Sequence, residues 1–96
     1  MTISSNDANS LAERKLTAIA AESGSDLEFA IIHRETIETP EGWVFFYNSR
    51  QYVESGDLGF ALAGNGLIFV DREGIVSTLS SAEPLEVSLK RLSGGV

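Results

Sequence analysis

No cysteine occurs in the 96-residue chain. Its absence removes disulfide frameworks, thiolate zinc sites and thiol nucleophiles together, and is compatible with a reducing cytoplasm. Histidine and tryptophan each appear once, as His33 and Trp43, and proline twice. A lone imidazole without thiols does not complete a metal site, so no metal or cofactor is expected. Cations are scarce. Seven Lys and Arg stand against fourteen Asp and Glu, a formal net charge of −7. That field repels phosphate backbones and anionic membranes and attracts cationic surfaces, which argues against nucleic acid and membrane as direct partners. Long apolar runs are missing too. The least polar stretch, Leu58 to Val70, contains Gly59, Gly64, Asn65 and Gly66 and falls well short of the roughly 20 residues a membrane-spanning helix needs. Met1 to Ser10 is polar and has neither the basic nor the apolar region of a signal peptide. A cytoplasmic protein is expected.

The apolar content, 43%, supplies one core, and residues 1–96 are expected to form a single domain. From Asn6 to Glu22 the residues Ala8, Ala12, Leu16, Ile19 and Ala20 recur at helical spacing, with Ser4, Ser5, Asn6 and Asp7 as upstream caps and Gly24 as the stop. The period then changes. Leu27, Phe29, Ile31, His33, Glu35 and Ile37 alternate with Glu28, Ala30, Ile32, Arg34, Thr36 and Glu38, which predicts one long strand.

Thr39-Pro40-Glu41-Gly42 is a turn, because Pro40 fixes its own φ and Gly42 can take a positive one. Trp43 to Asn48 is the returning strand, with Trp43, Phe45 and Tyr47 on one face and Val44 and Phe46 on the other. Apolar residues on both faces make it a central strand. A second hairpin joins Leu67–Val70 to Ile75–Leu79 through Asp71-Arg72-Glu73-Gly74, with Gly74 in the left-handed position. A closing helix is expected where Pro84 opens it, Leu85, Leu89 and Leu92 form a stripe, and Gly94 ends it. The fold expected is α+β: a four-stranded antiparallel sheet of two hairpins with an N-terminal and a C-terminal helix, in the order α-β-β-loop-β-β-α.

The connection from Ser49 to Gly66 is long for a compact domain. It carries Tyr52, Val53, Leu58, Phe60 and Leu62, so short helical turns packed on the sheet are expected in place of a free lid. Tyr52 and Phe60 are either buried anchors of this segment or exposed anchors for a partner. Glu54 and Asp57 flank Gly56 too sparsely for a calcium loop, and read as surface carboxylates within the same stretch.

In an antiparallel meander both hairpin tips point the same way, which places Glu38 and Glu41 on one edge with Asp71 and Glu73, offset by Arg72. Residues 22–41 hold six acids against Arg34 alone. Such an edge is either a solvated face that maintains solubility or a landing surface for a basic partner, where complementary charge raises the on-rate more than the affinity.

Catalytic sets are incomplete. His33 and Glu35, two apart on the expected strand, would share a face as a base and its orienting carboxylate, yet a lone histidine on a sheet face is usually structural. Gly64-Asn65-Gly66 precedes a strand and lacks the helix, lysine and hydroxyl of a phosphate loop. Trp43, beside Phe45, Phe46 and Tyr47, reads as sheet core ahead of ligand stacking.

Gly42-Trp43-Val44-Phe45, Tyr52-Val53-Glu54-Ser55-Gly56-Asp57, Leu62-Ala63-Gly64-Asn65-Gly66, Phe69-Val70-Asp71, Gly74-Ile75 and Glu83-Pro84-Leu85-Glu86 occur in order across nearly the whole chain. Together they resemble the immunity protein 35 family, also called the YrhB domain; Leu67 stands near where that pattern has proline. The resemblance implies a non-catalytic antidote of a bacterial polymorphic toxin system that protects the producing cell by binding a cognate toxin. A toxin with a basic surface is the expected partner. Occlusion of its active site or substrate cleft is the expected mechanism, with Glu38, Glu41, Asp71 and Glu73, or else Tyr52, Glu54, Asp57 and Phe60, at the interface. The competing expectation is a chaperone-like or peptide-binding domain that accepts unfolded segments by strand addition.

Overall fold

The computed structural model describes residues 2–24, 28–57, 59 and 66–79. Its fold is α+β, an N-terminal helix packed on antiparallel sheets. The expected closing helix around Pro84 to Gly94, and the Ala63-Gly64-Asn65 run, lie outside the described residues.

Helix α1 (Ser5–Ser23) starts at a reciprocal cap. The Asp7 amide donates to Ser4 Oγ at 3.1 Å, and the Ser4 amide donates to Asp7 Oδ2 at 3.3 Å. Gly24, at φ +65°, ends the helix in the left-handed position expected of it. Ala8, Ala12 and Leu16 form its buried stripe at four-residue spacing. Two alanines in that stripe let the helix axis lie close to the sheet.

The long strand expected from Leu27 to Glu38 is broken. A 3₁₀ turn over His33–Glu35 separates β1 (Phe29–Ile31) from β2 (Ile37–Thr39), and the return divides at Phe46 into β3 (Gly42–Phe45) and β4 (Tyr47–Ser49). Ile31 pairs with Tyr47 and Ile37 with Val44, so six steps along the outgoing side match three on the return. The three extra residues loop out as the 3₁₀ turn, while the Ile32 amide still donates to the Phe46 carbonyl at 2.8 Å and holds the hairpin across the break. An odd insertion reverses the parity of a strand. Ile31 therefore faces α1 with Tyr47, whereas Ile37 lies on the opposite face beside Val44 and Glu38 moves to the Trp43 side. Alternation alone cannot reveal such a break, because both halves keep period two.

Strands β5 (Leu67–Asp71) and β6 (Val76–Leu79) complete a four-stranded antiparallel sheet ordered β2-β3-β5-β6, with β1 and β4 as a separate two-stranded extension. Strand β3 is central, as its two apolar faces indicated. Trp43, Phe45 and Tyr47 pack with Ile31, Ile68 and Val70 beneath α1. Val44, Phe69 and Leu79 form a second cluster on the other face, with Phe46 and Leu67 against it. Fully burying a side chain such as Ile68 contributes about 1.5–3 kcal/mol, so the two clusters are the main stabilising feature.

Both hairpin tips sit at one end of the sheet. Gly42 in the first is paired with Asp71 in the second. Pro40 and Glu41 form a two-residue turn in which Glu41 keeps a negative φ, and Gly42 follows at φ +155°. A Cβ at Gly42 would stand 2.2 Å from the Val70 carbonyl oxygen. Only glycine lets the two hairpins approach this closely.

Candidate functional site

The hairpin end gathers the four acids singled out from the sequence and then separates them by role. Glu38 is cross-strand from Trp43 on the α1 face. Arg72 reaches over the same face: its Nη1 donates to Glu38 Oε2 at 3.1 Å, its Nη2 to the Thr39 carbonyl, and its guanidinium carbon lies 4.3 Å from the Trp43 ring centroid. Trp43 is core, only 3% exposed; its indole N–H has no acceptor among the described residues, so its polar interaction is made through the π face. The Arg72 backbone is tied down as well, since its carbonyl accepts from the Ile3 amide at 2.8 Å. Glu38 and Arg72 are thus a lid on the core.

Asp71 is spent on its own turn. Its Oδ1 accepts from the Glu73 amide at 2.9 Å and the Ile75 amide at 2.8 Å, and its carbonyl accepts from the Gly74 amide at 3.1 Å. Gly74, at φ +92°, supplies the positive dihedral this three-residue turn demands. An aspartate preceding x-x-Gly is the sequence sign of such a turn, and a reading of Asp71 as surface charge alone overlooks it.

Glu41 and Glu73 differ from the other two. Neither makes an ion pair among the described residues, and both line a groove of about 410 Å³ at the tip. Phe69 and Ser77, cross-strand neighbours on the face away from α1, and Ile75 line it also. Ile75 is 59% exposed; among the described residues the other large apolar side chain left in solvent is Ile37, at 40%.

Of the second set, Tyr52, Glu54 and Asp57 lie at the opposite end of the sheet. Buried Ser49 caps α2 (Arg50–Ser55), its Oγ accepting from the Tyr52 amide at 3.2 Å. This helix is the structured turn expected in the long connection, and it packs against β1 and β4. Arg50 closes that end by pairing with Glu28 at 3.0 Å. Tyr52 is half-buried, Glu54 exposed, and Asp57 exposed with Oδ1 accepting from the Gly59 amide at 2.9 Å. Phe60 lies outside the described residues. Among the described residues the two sets therefore do not merge into one surface.

His33 and Glu35 do not share a strand face, because they lie in the 3₁₀ turn, both exposed. The imidazole Nε2 faces Glu13 Oε1 of α1 at 3.7 Å, with both side chains about half or more in solvent. Among the described residues no three His, Asp or Glu side chains converge as metal ligands, and no helix is long and apolar enough to cross a membrane.

A family model described as Immunity protein 35 matches residues 6–90. The chain belongs to the immunity protein 35 family. The Escherichia coli (strain K12) protein YrhB, described as uncharacterized, is 37% identical over 51 residues, covering 52% of this chain and 54% of that protein. The match thus spans about half the length of that relative. No solved structure matches the chain. The family match runs from the first turn of α1 through both hairpins and α2, so it includes the lid, the groove and the connection alike.

Proposed function

We propose that this chain is an immunity protein that binds a cognate bacterial toxin in the cytoplasm and neutralises it by covering the active site or substrate cleft, with no chemistry of its own. The family match over residues 6–90 carries this reading. The net charge of −7 supports a toxin with a basic surface, since opposite fields accelerate encounter and fix orientation. Residues 1–96 act as one domain in this reading.

The hairpin end is the docking surface we favour, with Glu41 and Glu73 as the charges free to meet the partner and Glu38 and Asp71 holding the scaffold. Tyr52, Glu54 and Asp57 at the far end, together with Phe60 of the same connection, are the alternative surface. Co-expression with the neighbouring gene tests the function. A product lethal alone and tolerated beside this chain, with the two co-eluting as a complex, is the expected outcome. A harmless product, or one that kills regardless of this chain, would end the proposal.

A further inference from the structure

The groove at the hairpin tip combines two surfaces that few single ligands satisfy together. Its floor is Phe69 and its wall Ile75, an apolar side chain 59% in solvent. Its rim carries Glu41 and Glu73 without cationic partners among the described residues. The third carboxylate, Asp71, has one oxygen committed to backbone amides. Arg72 lines the groove as well, but its guanidinium is already held by Glu38, the Thr39 carbonyl and the Trp43 ring. The arginine in the lining is thus spent on Glu38, and Glu41 and Glu73 keep their charge without an ion pair among the described residues.

A side chain with an apolar stem and a cationic head fits such a place, because the stem can cover Ile75 and the edge of Phe69 while the head meets carboxylates. Between the two basic residues, arginine is the better match. Its guanidinium is the more weakly hydrated and gives up less on leaving water beside an apolar wall, and its several N–H groups can engage two carboxylates at once.

We infer that this groove receives an arginine side chain presented by the protein partner. The identity of that partner as a toxin rests on the function proposed above; the chemistry of the groove does not. The groove is an anchor point in the sense that one inserted side chain fixes the register of a larger, charge-matched interface.

The test uses the full chain and the peptide acetyl-Ala-Arg-Ala-amide, followed by ¹H–¹⁵N NMR. Saturable shifts of the Glu73, Gly74, Ile75 and Ser77 amides are expected, and the citrulline peptide, which keeps the shape but not the charge, should leave them unmoved. Glu73→Gln, at an exposed position that cannot unsettle the fold, should weaken binding about fivefold, the upper end for one exposed ion pair. Glu41→Gln should do the same. Equal shifts with citrulline, shifts confined to α2, or no saturation with the arginine peptide would each overturn the inference. The co-expression result is independent of all three: protection by wild type together with undiminished protection by the double Gln variant removes the groove and leaves the immunity function standing.

Discussion

The guanidinium carbon of Arg72 lies 4.3 Å from the centroid of the Trp43 ring, and its Nη1 is 3.1 Å from Glu38 Oε2 on the same face. The two residues come from different hairpins, so the stack ties the second hairpin turn to the central strand of the sheet. Glu38 is 62% exposed and Arg72 31%, which weakens the ion pair by solvent screening and leaves stacking on the buried indole as the larger part.

Arg72→Ala is accordingly expected to cost about 1.5–2.5 kcal/mol, summing the lost stack, ion pair and stem packing. Glu38→Gln should cost less than about 1 kcal/mol. Urea unfolding followed by Trp43 fluorescence measures both. Equal losses for the two variants would show that the ion pair, and not the stack, dominates.

Asp71 and Glu73, two residues apart, should differ sharply in what their substitution costs. Asp71→Ala removes the acceptor for two turn amides and is expected to lower stability by about 1–2 kcal/mol, while Asp71→Asn, which keeps an acceptor oxygen, recovers most of it. Glu73→Gln should stay within about 0.5 kcal/mol of wild type. The midpoints and slopes of denaturant curves decide this.

Gly42→Ala places a methyl 2.2 Å from the Val70 carbonyl oxygen and 2.7 Å from the Asp71 Cα. Neither atom is the end of a flexible side chain, so the two hairpins must part. A loss of about 3 kcal/mol is expected, the upper range for overpacking. A thermal midpoint unchanged from wild type would mean that the close approach is absent.

Burial pushes the Tyr47 phenol above its ordinary value of 10.0, and a hydrogen bond with the Gly66 backbone pulls it partly back. The folded state thus holds this proton more tightly than the unfolded chain does. Stability from the group is whole below pH 10 and is lost as pH rises through the higher folded value, because the unfolded chain ionises first. Denaturation curves between pH 9 and about 12 should show stability falling with pH, and Tyr47→Phe should flatten that decline. A decline of the same steepness in the variant would assign it to other groups.

Once a toxin is in hand, Glu41→Lys with Glu73→Lys should slow association by at least about tenfold at low salt. The difference should collapse near 1 M salt, where the screening length is about 3 Å. Glu54→Lys with Asp57→Lys serves as the contrasting pair at the opposite end of the sheet. A larger effect from that pair would move the interface to the α2 side.

Helix α1, its Ser4 cap and its Gly24 stop were written in short-range chemistry, and so were the two turns, the two faces of β3 and the acidic excess, since each depends on residues within a few positions of one another. Family membership was legible too, from motifs spread along the whole chain. The interruption at His33–Glu35 was not. It is a difference in pairing distance between two strands, and alternation on either side is untouched by it. That odd insertion sent Ile37 to one face and Glu38 to the other, and so decided which acid joins the Arg72–Trp43 stack. Charge could be counted from sequence, but whether a carboxylate is spent on a neighbour or left for a partner is settled by which backbone and side-chain groups the folded hairpins bring within 3 Å, and those groups lie on strands that only tertiary packing sets side by side.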